Sequence, residues 1–353
     1  MAGHLTPCIT RAVTGLRQRK DAHMSTQVIE KPAATAHDTA PTFHPVTPVF
    51  GAEVSGIDLT RELDAATVTA LRAGLLKYKV LFFRDQPISD EDQVRFSRYF
   101  GPVTPAHPIT NGRDAKHIEI MENVQSVIGN RKPAFSDIEK QVYRASTRPR
   151  SRRGWHTDIT FVANPADISF LRGYQIPEVG GDTAWADLEA LYDSLSPAFR
   201  AFLDTLHAGH FRDDALHGYP PAERLDGRKT GPFLALHPLV RVHPETGRKS
   251  LFLSPGFLKY IDELNEDESE TLLGYLKNEL AARIDLQIRF KWTPNALAVW
   301  DNRATTHWGP VDGKFFSEER IVRRTTVGNS LAVGVDGFVS QQISGDQFYT
   351  LDY

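Results

Sequence analysis

The sequence predicts a mostly β fold, a β-sandwich or jelly-roll barrel with helices packed on the outside. Short alternating or apolar segments dominate the second half of the chain, as in Leu286-Gln-Ile-Arg-Phe-Lys-Trp292, where apolar and polar residues alternate as on a half-buried strand. Well-marked helices separate these segments, and no internal repeat is present. Many short strands combined with outer helices favour one domain built around a layered core.

The first predicted elements begin at Phe43, where the pattern becomes globular. A buried strand is predicted at Val80-Leu-Phe-Phe83. Ser89 predicts the N-cap of a helix behind that strand, because acidic residues fill the first turn and suit the helix dipole. An earlier helix precedes the strand and carries apolar residues at helical spacing on one face, at Val68, Leu71, Leu75 and Tyr78.

Later elements have equally clear start and stop signals. Ser196 predicts the N-cap of a helix with Pro197 at its first position, and Asn265 with Glu268 opens another. The turn sequence Pro244-Glu-Thr-Gly247 lies between two apolar runs and predicts a hairpin. In the helix after Ser196, the side chains expected to face inward are Phe199, Phe202, Leu203 and Leu206.

Composition divides the chain into three parts. Residues 1–42 are rich in Ala, Thr and Pro and predict a disordered extension, residues 43–329 form the domain, and residues 330–353 form a C-terminal extension of open role. Within the domain, residues 125–154 contain eight Lys or Arg against two acidic residues. This stretch is either a solvated surface insertion or, because long irregular loops are often binding segments, a mobile basic lid.

Bulk properties exclude several classes of protein. The formal net charge is -3, so no overall positive field would attract nucleic acid or an acidic membrane. No apolar run approaches the roughly 20 residues that span a bilayer. The single cysteine, Cys8, excludes a disulfide framework and a cysteine-rich metal site, and favours a cytoplasmic protein. The basic first twenty residues faintly resemble a transit peptide, but Met24 could equally be the true start.

Three residues predict a metal site. His156 and Asp158 are two apart in Trp155-His-Thr-Asp158, so on a strand both side chains point to one side. His307 follows a strong strand far along the chain. Two neutral imidazoles and one carboxylate form the facial triad that holds non-haem iron(II) and leaves positions open for other ligands. Isolated His-x-Asp pairs also arise by chance, and a buried histidine at a strand end is more often structural.

Two further histidine pairs are weaker candidates for a metal site. His207 and His210 lie near the end of a predicted helix, and His237 and His243 lie in the predicted hairpin. Neither pair has a suitably placed Asp at short range. We therefore interpret both pairs as surface or capping residues.

Six motifs together connect the chain to a known family. They are Gly51-Ala-Glu-Val-Ser-Gly-Ile-Asp-Leu59, Phe83-Arg-Asp-Gln86, Trp155-His-Thr-Asp-Ile-Thr-Phe161, Gly180-Gly-Asp-Thr183, Trp300-Asp-Asn-Arg303 and Arg320-Ile-Val-Arg-Arg324. With them the chain resembles the taurine, alkylsulfate and 2,4-dichlorophenoxyacetate dioxygenases, from about residue 43 to residue 328. The resemblance implies a double-stranded β-helix, a cupin-like jelly roll with flanking helices.

The resemblance also implies a cofactor site. His156, Asp158 and His307 would bind iron(II). Arg320 stands thirteen residues after His307 and matches the arginine that anchors the distal carboxylate of the cosubstrate 2-oxoglutarate. Thr183 matches the hydroxyl partner of that carboxylate. A guanidinium suits this role because its planar fork can donate two hydrogen bonds to one carboxylate.

Two more positions match residues that contact the acidic group of the substrate. Arg324 lies four residues after Arg320, and His107 lies in Pro105-Ala-His-Pro108. The chain departs from the taurine enzymes at Thr110, where they have a tyrosine, and in a basic cluster just before the Trp-His motif. A substrate with a second acidic group, or with no amine, therefore fits better than taurine.

The implied reaction is hydroxylation of a small anionic substrate by O2 and 2-oxoglutarate, with succinate and CO2 as coproducts. An alkyl sulfate or sulfonate, oxidised next to its heteroatom, would yield an aldehyde and sulfate or sulfite. A biosynthetic oxygenase acting on an amino- or fatty-acid derivative would use the same iron and cosubstrate residues. A metal-dependent hydrolase or binding protein could share the metal ligands, but it would not require Arg320 and Thr183. Family members often form dimers or tetramers, so we expect a homo-oligomer.

Overall fold

The computed structural model describes residues 40–104, 119–122, 154–212, 232–309 and 318–347. In these ranges the chain is mostly β, as predicted, and none of the described helices is long and apolar enough to cross a membrane. The strands are β1 Thr42–Pro45, β2 Ala52–Ser55, β3 Val80–Phe83, β4 Glu119–Glu122, β5 Ile168–Gln175, β6 Thr183–Asp187, β7 His207–Arg212, β8 Phe233–Pro238, β9 Val240–Val242, β10 Lys249–Leu251, β11 Leu258–Ile261, β12 Gln287–Phe290, β13 Leu297–Asp301, β14 Thr305–Trp308, β15 Ile321–Val327, β16 Val333–Gly334 and β17 Gln341–Ser344. The helices are α1 Ala65–Tyr78, α2 Asp90–Arg98, α3 Leu188–Asp193, α4 Pro197–Leu203 and α5 Glu266–Ala282, with a 3₁₀ turn at Ile284–Leu286.

Several predicted features lie outside the described residues. They are most of the N-terminal extension at 1–42, almost all of the basic stretch at 125–154, Cys8, Met24, His107 and Thr110. Their predicted roles stay predictions.

The largest sheet has seven strands in the order β1-β2-β3-β13-β5-β15-β4. Strand β13 lies between β3 and β5, so that Trp300 is opposite Val80 on one side and Ser169 on the other. Three smaller sheets follow the orders β12-β6-β14, β11-β7-β8-β17 and β10-β9-β16. The strands that carry the predicted site residues thus come from different parts of the chain and meet only through sheet pairing.

Successive side chains of β13 point to opposite faces of the large sheet and so contribute to two separate parts of the core. Ala298 and Trp300 point to the face where the large sheet packs against β12-β6-β14, and Trp185 of β6 joins them there. Leu297 and Val299 point to the opposite face, which α1 and α2 cover. Of the predicted site residues, Asp158, Thr183 and His307 are buried on this inner side of the large sheet.

The predicted helix starts are confirmed. Ser89 accepts a hydrogen bond from the backbone of Asp92, and the Asp92 side chain accepts one from the backbone of Ser89, which closes a capping box on α2. Asn265 and Glu268 form the same box at the start of α5. Each box satisfies two backbone N–H groups that have no partner inside the helix.

One inward-facing residue was predicted wrongly. Leu203 of α4 is fully buried and Phe199 packs against the core, but Phe202 is 43% exposed. Phe202 directly precedes Leu203, so it lies about 100° further around the helix. The apolar stripe of this short helix is narrower than the sequence pattern indicated.

The segment after residue 329 contributes to the sheets. Strand β16 pairs with β9 and strand β17 pairs with β8, both antiparallel. Gln342 also donates hydrogen bonds to the backbone carbonyls of Phe161 and Leu234. Residues 330–347 therefore supply an edge strand to the three-stranded sheet and another to the four-stranded sheet, a role that the sequence alone left open.

Candidate metal centre and active site

Sheet pairing brings His156, Asp158 and His307 together. His307 lies in β14, and the backbone N–H groups of His156 and His307 each donate to the other residue's carbonyl over 2.8 Å. The atoms of His156, Asp158 and His307 that could bind a metal all lie within 4.8 Å of one another. Gly154 permits this approach, since a Cβ there would lie 2.0 Å from Trp308 Nε1.

Hydrogen bonds orient the first histidine. His156 Nδ1 lies 3.0 Å from the carbonyl oxygen of Gly154. A carbonyl only accepts, so Nδ1 carries the hydrogen and Nε2 presents its lone pair. A metal-binding histidine is commonly held this way, because a bond at one ring nitrogen fixes the direction of the other.

The second histidine faces the carboxylate. His307 Nε2 lies 3.7 Å from Asp158 Oδ1. Within the part of the chain that the structure describes, the buried Nδ1 of His307 has no hydrogen-bond partner. The ring packs against Trp300, with 4.9 Å between the ring centroids, and this contact fixes its plane.

Electrostatics keep the three side chains in the protonation states that a metal ion needs. Burial lowers the pKa of His307 to about 3, and it lowers the pKa of His156 as well, so both imidazoles are neutral near pH 7. Burial alone would raise the pKa of Asp158. The positive charge of Arg324, the largest of the opposing effects, and the hydrogen bond from Ser169 help to reverse this and hold the pKa of Asp158 well below its usual range. The site therefore offers two neutral nitrogen donors and one carboxylate anion.

Asp158 is held from two sides. Ser169 Oγ donates to its Oδ2 over 2.6 Å, and an Arg324 terminal nitrogen donates to its Oδ1 over 2.5 Å. Arg324 lies in β15, which pairs with the strand β5 that carries Ser169. The predicted substrate-binding arginine thus lies directly beside the predicted metal ligands.

Thr183 and Arg320, the predicted cosubstrate residues, both adjoin Gly181. Arg320 Nε donates to the Gly181 carbonyl over 2.8 Å, and a Cβ on Gly181 would lie 2.8 Å from Arg320 Cδ. Thr183 is buried two residues further on, and its Oγ1 accepts a hydrogen bond from Trp292 Nε1 over 3.0 Å. An indole only donates, so the hydroxyl hydrogen of Thr183 is directed elsewhere and can bind an anion.

Sequence reasoning missed one basic residue near the site. The Arg212 guanidinium ends strand β7 and lies over the rings of Phe161 and Phe257, at 5.3 and 5.9 Å from their centroids. Phe257 in turn meets the ring of His156 edge-on. Arg212 also contributes to the lowered pKa of His156. No motif marks Arg212, because its proximity depends on how β7 packs against the turn after Asp158.

The interpretation of His210 and His237 as surface or capping residues was wrong. Both are fully buried, on neighbouring strands β7 and β8, and their rings are 4.8 Å apart. Each is opposite an alanine of the other strand, which leaves room for an imidazole inside the sheet. His243 does cap the hairpin turn, since its Nδ1 accepts the backbone N–H groups of Glu245 and Thr246.

The burial of His237 leads to a testable prediction about the stability of the protein at low pH. Burial lowers the pKa of His237 to about 3, whereas an unfolded histidine has a pKa of about 6.5. Below pH 6.5 the histidine therefore binds a proton in the unfolded chain but not in the folded protein. The free energy of unfolding falls as a result. When the pH falls from 7.5 to 5, the free energy of unfolding decreases in both proteins. We expect this decrease to be about 2 kcal/mol smaller for His237→Gln than for the wild type. Urea unfolding of both proteins at both pH values measures this difference, and equal losses would contradict it.

Comparison with known proteins identifies the family of this chain. The family model described as taurine catabolism dioxygenase TauD, TfdA family, matches residues 42–326. An alkylsulfatase of Acinetobacter baylyi is 36% identical over 299 residues, which cover 82% of this chain and 85% of that protein. An alpha-ketoglutarate-dependent sulfate ester dioxygenase of Pseudomonas putida is 34% identical over 308 residues, 84% of this chain and 93% of that protein.

A solved structure is similar over most of its length. The crystal structure of a taurine dioxygenase from Burkholderia xenovorans is 36% identical and aligns with a TM-score of 0.73 over 87% of this chain and 96% of that one. The predicted family and the predicted jelly-roll fold are both confirmed. The chain belongs to the TauD, TfdA family of dioxygenases, and it is an oxidoreductase that depends on 2-oxoglutarate, also called alpha-ketoglutarate.

Proposed function

We propose that this dioxygenase uses iron(II) to oxidise a small anionic substrate, an alkyl sulfate or a sulfonate, at the carbon next to the heteroatom. One observation supports the proposal most. The metal-binding atoms of His156, Asp158 and His307 lie within 4.8 Å of one another, and Arg324 donates to Asp158 over 2.5 Å. Candidate metal ligands and a cation that can bind an anion therefore share one site.

The donor set suits iron(II). Two imidazole nitrogens and one carboxylate oxygen are the ligands of non-haem iron oxygenases, which keep further positions open. A structural zinc site would instead close its coordination with four protein ligands. The neutral histidines and the ionised Asp158 require no proton release before the metal binds.

We assign the distal carboxylate of 2-oxoglutarate to Arg320 and Thr183. The Arg320 guanidinium is fixed beside Gly181, and Trp292 turns the Thr183 hydroxyl hydrogen away from itself. A charged fork and a hydroxyl donor match the acceptor geometry of a carboxylate. This anchor would place the keto acid end of 2-oxoglutarate toward His156, Asp158 and His307.

Bound iron(II) would supply the site at which dioxygen and 2-oxoglutarate react, with one oxygen atom reaching the substrate and the other reaching succinate. The protein's own residues act by binding and orientation. We assign the substrate's anionic group to Arg324, which lies against Asp158 and so sets the distance between that group and the metal. The buried walls around Asp158 and His307 keep bulk water from the reacting carbon.

Charge favours a sulfate or sulfonate without a nearby amine. Arg324 neutralises Asp158 through their hydrogen bond, and Arg212 adds a second cation over Phe257, whose ring meets His156 edge-on. An ammonium group such as that of taurine would be repelled there, whereas a second acidic group would be attracted. The names of the relatives from Acinetobacter baylyi and Pseudomonas putida, which specify sulfate esters, agree with this preference.

The products follow from the position of attack. Hydroxylation of the carbon that bears a sulfate oxygen gives an unstable hydroxy ester, which breaks into an aldehyde and inorganic sulfate. A sulfonate hydroxylated at the corresponding carbon gives an aldehyde and sulfite. Neither cleavage requires a further protein group, so positioning by Arg324 is sufficient to determine the outcome.

The proposal is tested by measuring succinate formation with iron(II), 2-oxoglutarate and oxygen across a panel of substrates. The panel includes alkyl sulfates, alkyl sulfonates, taurine, aryloxyalkanoates, N-substituted amino acids and fatty-acid derivatives. We expect substrate-dependent succinate with alkyl sulfates or sulfonates, matched by stoichiometric sulfate or sulfite, and a lower kcat/KM for taurine. Parallel reconstitution with Mn(II), Co(II) or Zn(II) in place of iron(II) should give no turnover.

Two results would overturn parts of the proposal. If taurine exceeds every alkyl sulfate and sulfonate in kcat/KM, the assignment of charge around Arg324 and Arg212 is wrong. If succinate forms only with amino-acid or fatty-acid derivatives, the enzyme is the biosynthetic oxygenase that the sequence kept as an alternative.

A further inference from the structure

A chain of buried hydrogen bonds runs from Trp300 to the candidate metal ligand Asp158. Trp300 Nε1 lies 2.9 Å from Asn302 Oδ1, and Asn302 Nδ2 lies 2.8 Å from Ser169 Oγ. Ser169 Oγ lies 2.6 Å from Asp158 Oδ2. Trp300, Asn302 and Ser169 are at most 1% exposed, and Asp158 is 3% exposed.

The direction of every bond in this chain is fixed by its first member. An indole N–H only donates, so the carbonyl end of the Asn302 amide faces Trp300 and the amide nitrogen faces Ser169. Asn302 Nδ2 also only donates, so Ser169 Oγ must accept there. The one hydroxyl hydrogen of Ser169 is therefore directed at Asp158 Oδ2.

The backbone holds the same residues in place. Ser169 and Trp300 are direct partners on the neighbouring strands β5 and β13. The Asn302 N–H donates to the carbonyl of Asp167 over 2.9 Å, and Arg241 donates to the Asn302 carbonyl. Neither Asn302 nor Ser169 can turn away from Asp158 without leaving a buried polar group unsatisfied, which costs about 1–3 kcal/mol.

We propose that Trp300, Asn302 and Ser169 are positioning residues that hold Asp158 as a one-oxygen metal ligand. Oδ1 faces His307 Nε2 at 3.7 Å, while Oδ2 is held by Ser169 on the other side. Oδ2 cannot swing toward the metal without breaking that bond. This inference rests on the proposed metal role of Asp158.

The expected consequence concerns the cosubstrate more than the metal. A carboxylate that binds through both oxygens occupies one more position at the metal, and that position is needed for the two-point binding of 2-oxoglutarate or for dioxygen. Removing the donor to Oδ2 lets Asp158 bind through both atoms. The metal should then remain bound while 2-oxoglutarate binds more weakly.

The test uses the full-length enzyme and two variants, Ser169→Ala and Asn302→Asp. Ser169→Ala removes the donor to Asp158. Asn302→Asp keeps the side-chain shape but cannot donate, so the Ser169 hydroxyl turns toward residue 302 instead. Ser97→Ala is the matched control. Ser97 is also a fully buried serine, but its hydrogen bonds are to Gln93 and Thr325 and it does not belong to the series from Trp300 to Asp158.

Two binding constants are measured without oxygen. Mn(II) affinity is obtained by titration, and 2-oxoglutarate affinity is obtained from the visible absorbance of its complex with the iron(II)-loaded enzyme. We expect Ser169→Ala and Asn302→Asp to weaken 2-oxoglutarate binding on the order of 10- to 100-fold, which is the size of the effect that substitutions behind metal ligands have on metal affinity or activity. Mn(II) affinity should change much less, and Ser97→Ala should match the wild type in both.

Other outcomes overturn the inference in distinguishable ways. If Ser169→Ala and Asn302→Asp both have wild-type values for both constants, the hydrogen bonds from Trp300 to Ser169 do not position Asp158. If both affinities and the thermal stability fall together, and Ser97→Ala shows the same losses, the hydrogen-bonded residues Trp300, Asn302 and Ser169 act only on folding. If the wild type itself forms no complex with iron(II) and 2-oxoglutarate, the proposed metal role is wrong and this inference falls with it.

Discussion

Replacing Asp158 with alanine is expected to abolish substrate-dependent succinate formation. The variant loses the one anionic donor of the proposed metal site and leaves Arg324 without the carboxylate that it contacts. Two imidazoles alone bind iron(II) more weakly, and an unpaired cation beside them opposes the metal. We expect kcat/KM to fall by roughly 10³-fold or more, equivalent to about 4 kcal/mol of lost transition-state stabilisation.

A second variant separates catalysis from folding. Breaking a buried ion pair can destabilise a protein by about 3–5 kcal/mol, so Asp158→Ala is compared with Asp158→Asn. Asparagine keeps the shape of the side chain and an oxygen that can accept from Ser169, but it lacks the charge. Asp193→Ala, which removes a largely exposed acid of α3, is the control for loss of a carboxylate elsewhere.

The readouts are succinate formation, iron content after anaerobic loading and the melting temperature. Loss of activity and of bound iron in Asp158→Asn at a near-normal melting temperature would support the ligand role. A well-folded Asp158→Asn or Asp158→Ala protein that forms succinate at the wild-type rate would refute the assignment of Asp158.

Local patterns in the sequence were sufficient for most of the secondary structure. The strand at Val80–Phe83 and the capping boxes at Ser89 and Asn265 depend on residues within a few positions of one another, and all are confirmed. The burial of His210 and His237 was not predictable in this way. It depends on strands β7 and β8 pairing so that each histidine lies opposite an alanine, and spacing along the chain does not contain that pairing.

The same limit applies to the candidate site, where local patterns could be predicted from the sequence but contacts between distant segments could not. His156 and Asp158 form a local pattern, but the position of His307 beside them depends on strand β14. The sequence predicted the three as one ligand set from their donor types, and the family resemblance strengthened that prediction, but neither described the contact between the strands. Ser169 escaped notice altogether, and Asn302 was noted only as a member of the motif Trp300-Asp-Asn-Arg303, with no role assigned to it. A serine within an apolar strand and an asparagine in a turn are common in any protein. Their proposed role depends on the direction of the hydrogen bonds, which only the folded structure shows.

Arg320→Ala is expected to raise the KM for 2-oxoglutarate by about 100-fold while leaving the KM for the organic substrate nearly unchanged. Hydrogen bonds to charged groups contribute about 1.5–3 kcal/mol each, and the upper end of that range corresponds to roughly 100-fold. Arg320→Lys keeps the charge but not the planar fork, so its KM for 2-oxoglutarate should lie between those of Arg320→Ala and the wild type. Steady-state kinetics with each substrate varied in turn measure both constants.

Arg324→Ala is the matched control, because it removes the same side chain four residues further along the chain. Arg324 contacts Asp158 whereas Arg320 contacts Gly181, so the two guanidinium groups face different parts of the site. Arg324→Ala should therefore raise the KM for the alkyl sulfate or sulfonate more than the KM for 2-oxoglutarate. If Arg320→Ala instead affects both constants equally, or Arg324→Ala affects mainly 2-oxoglutarate, the two anion-binding roles have been assigned to the wrong arginines.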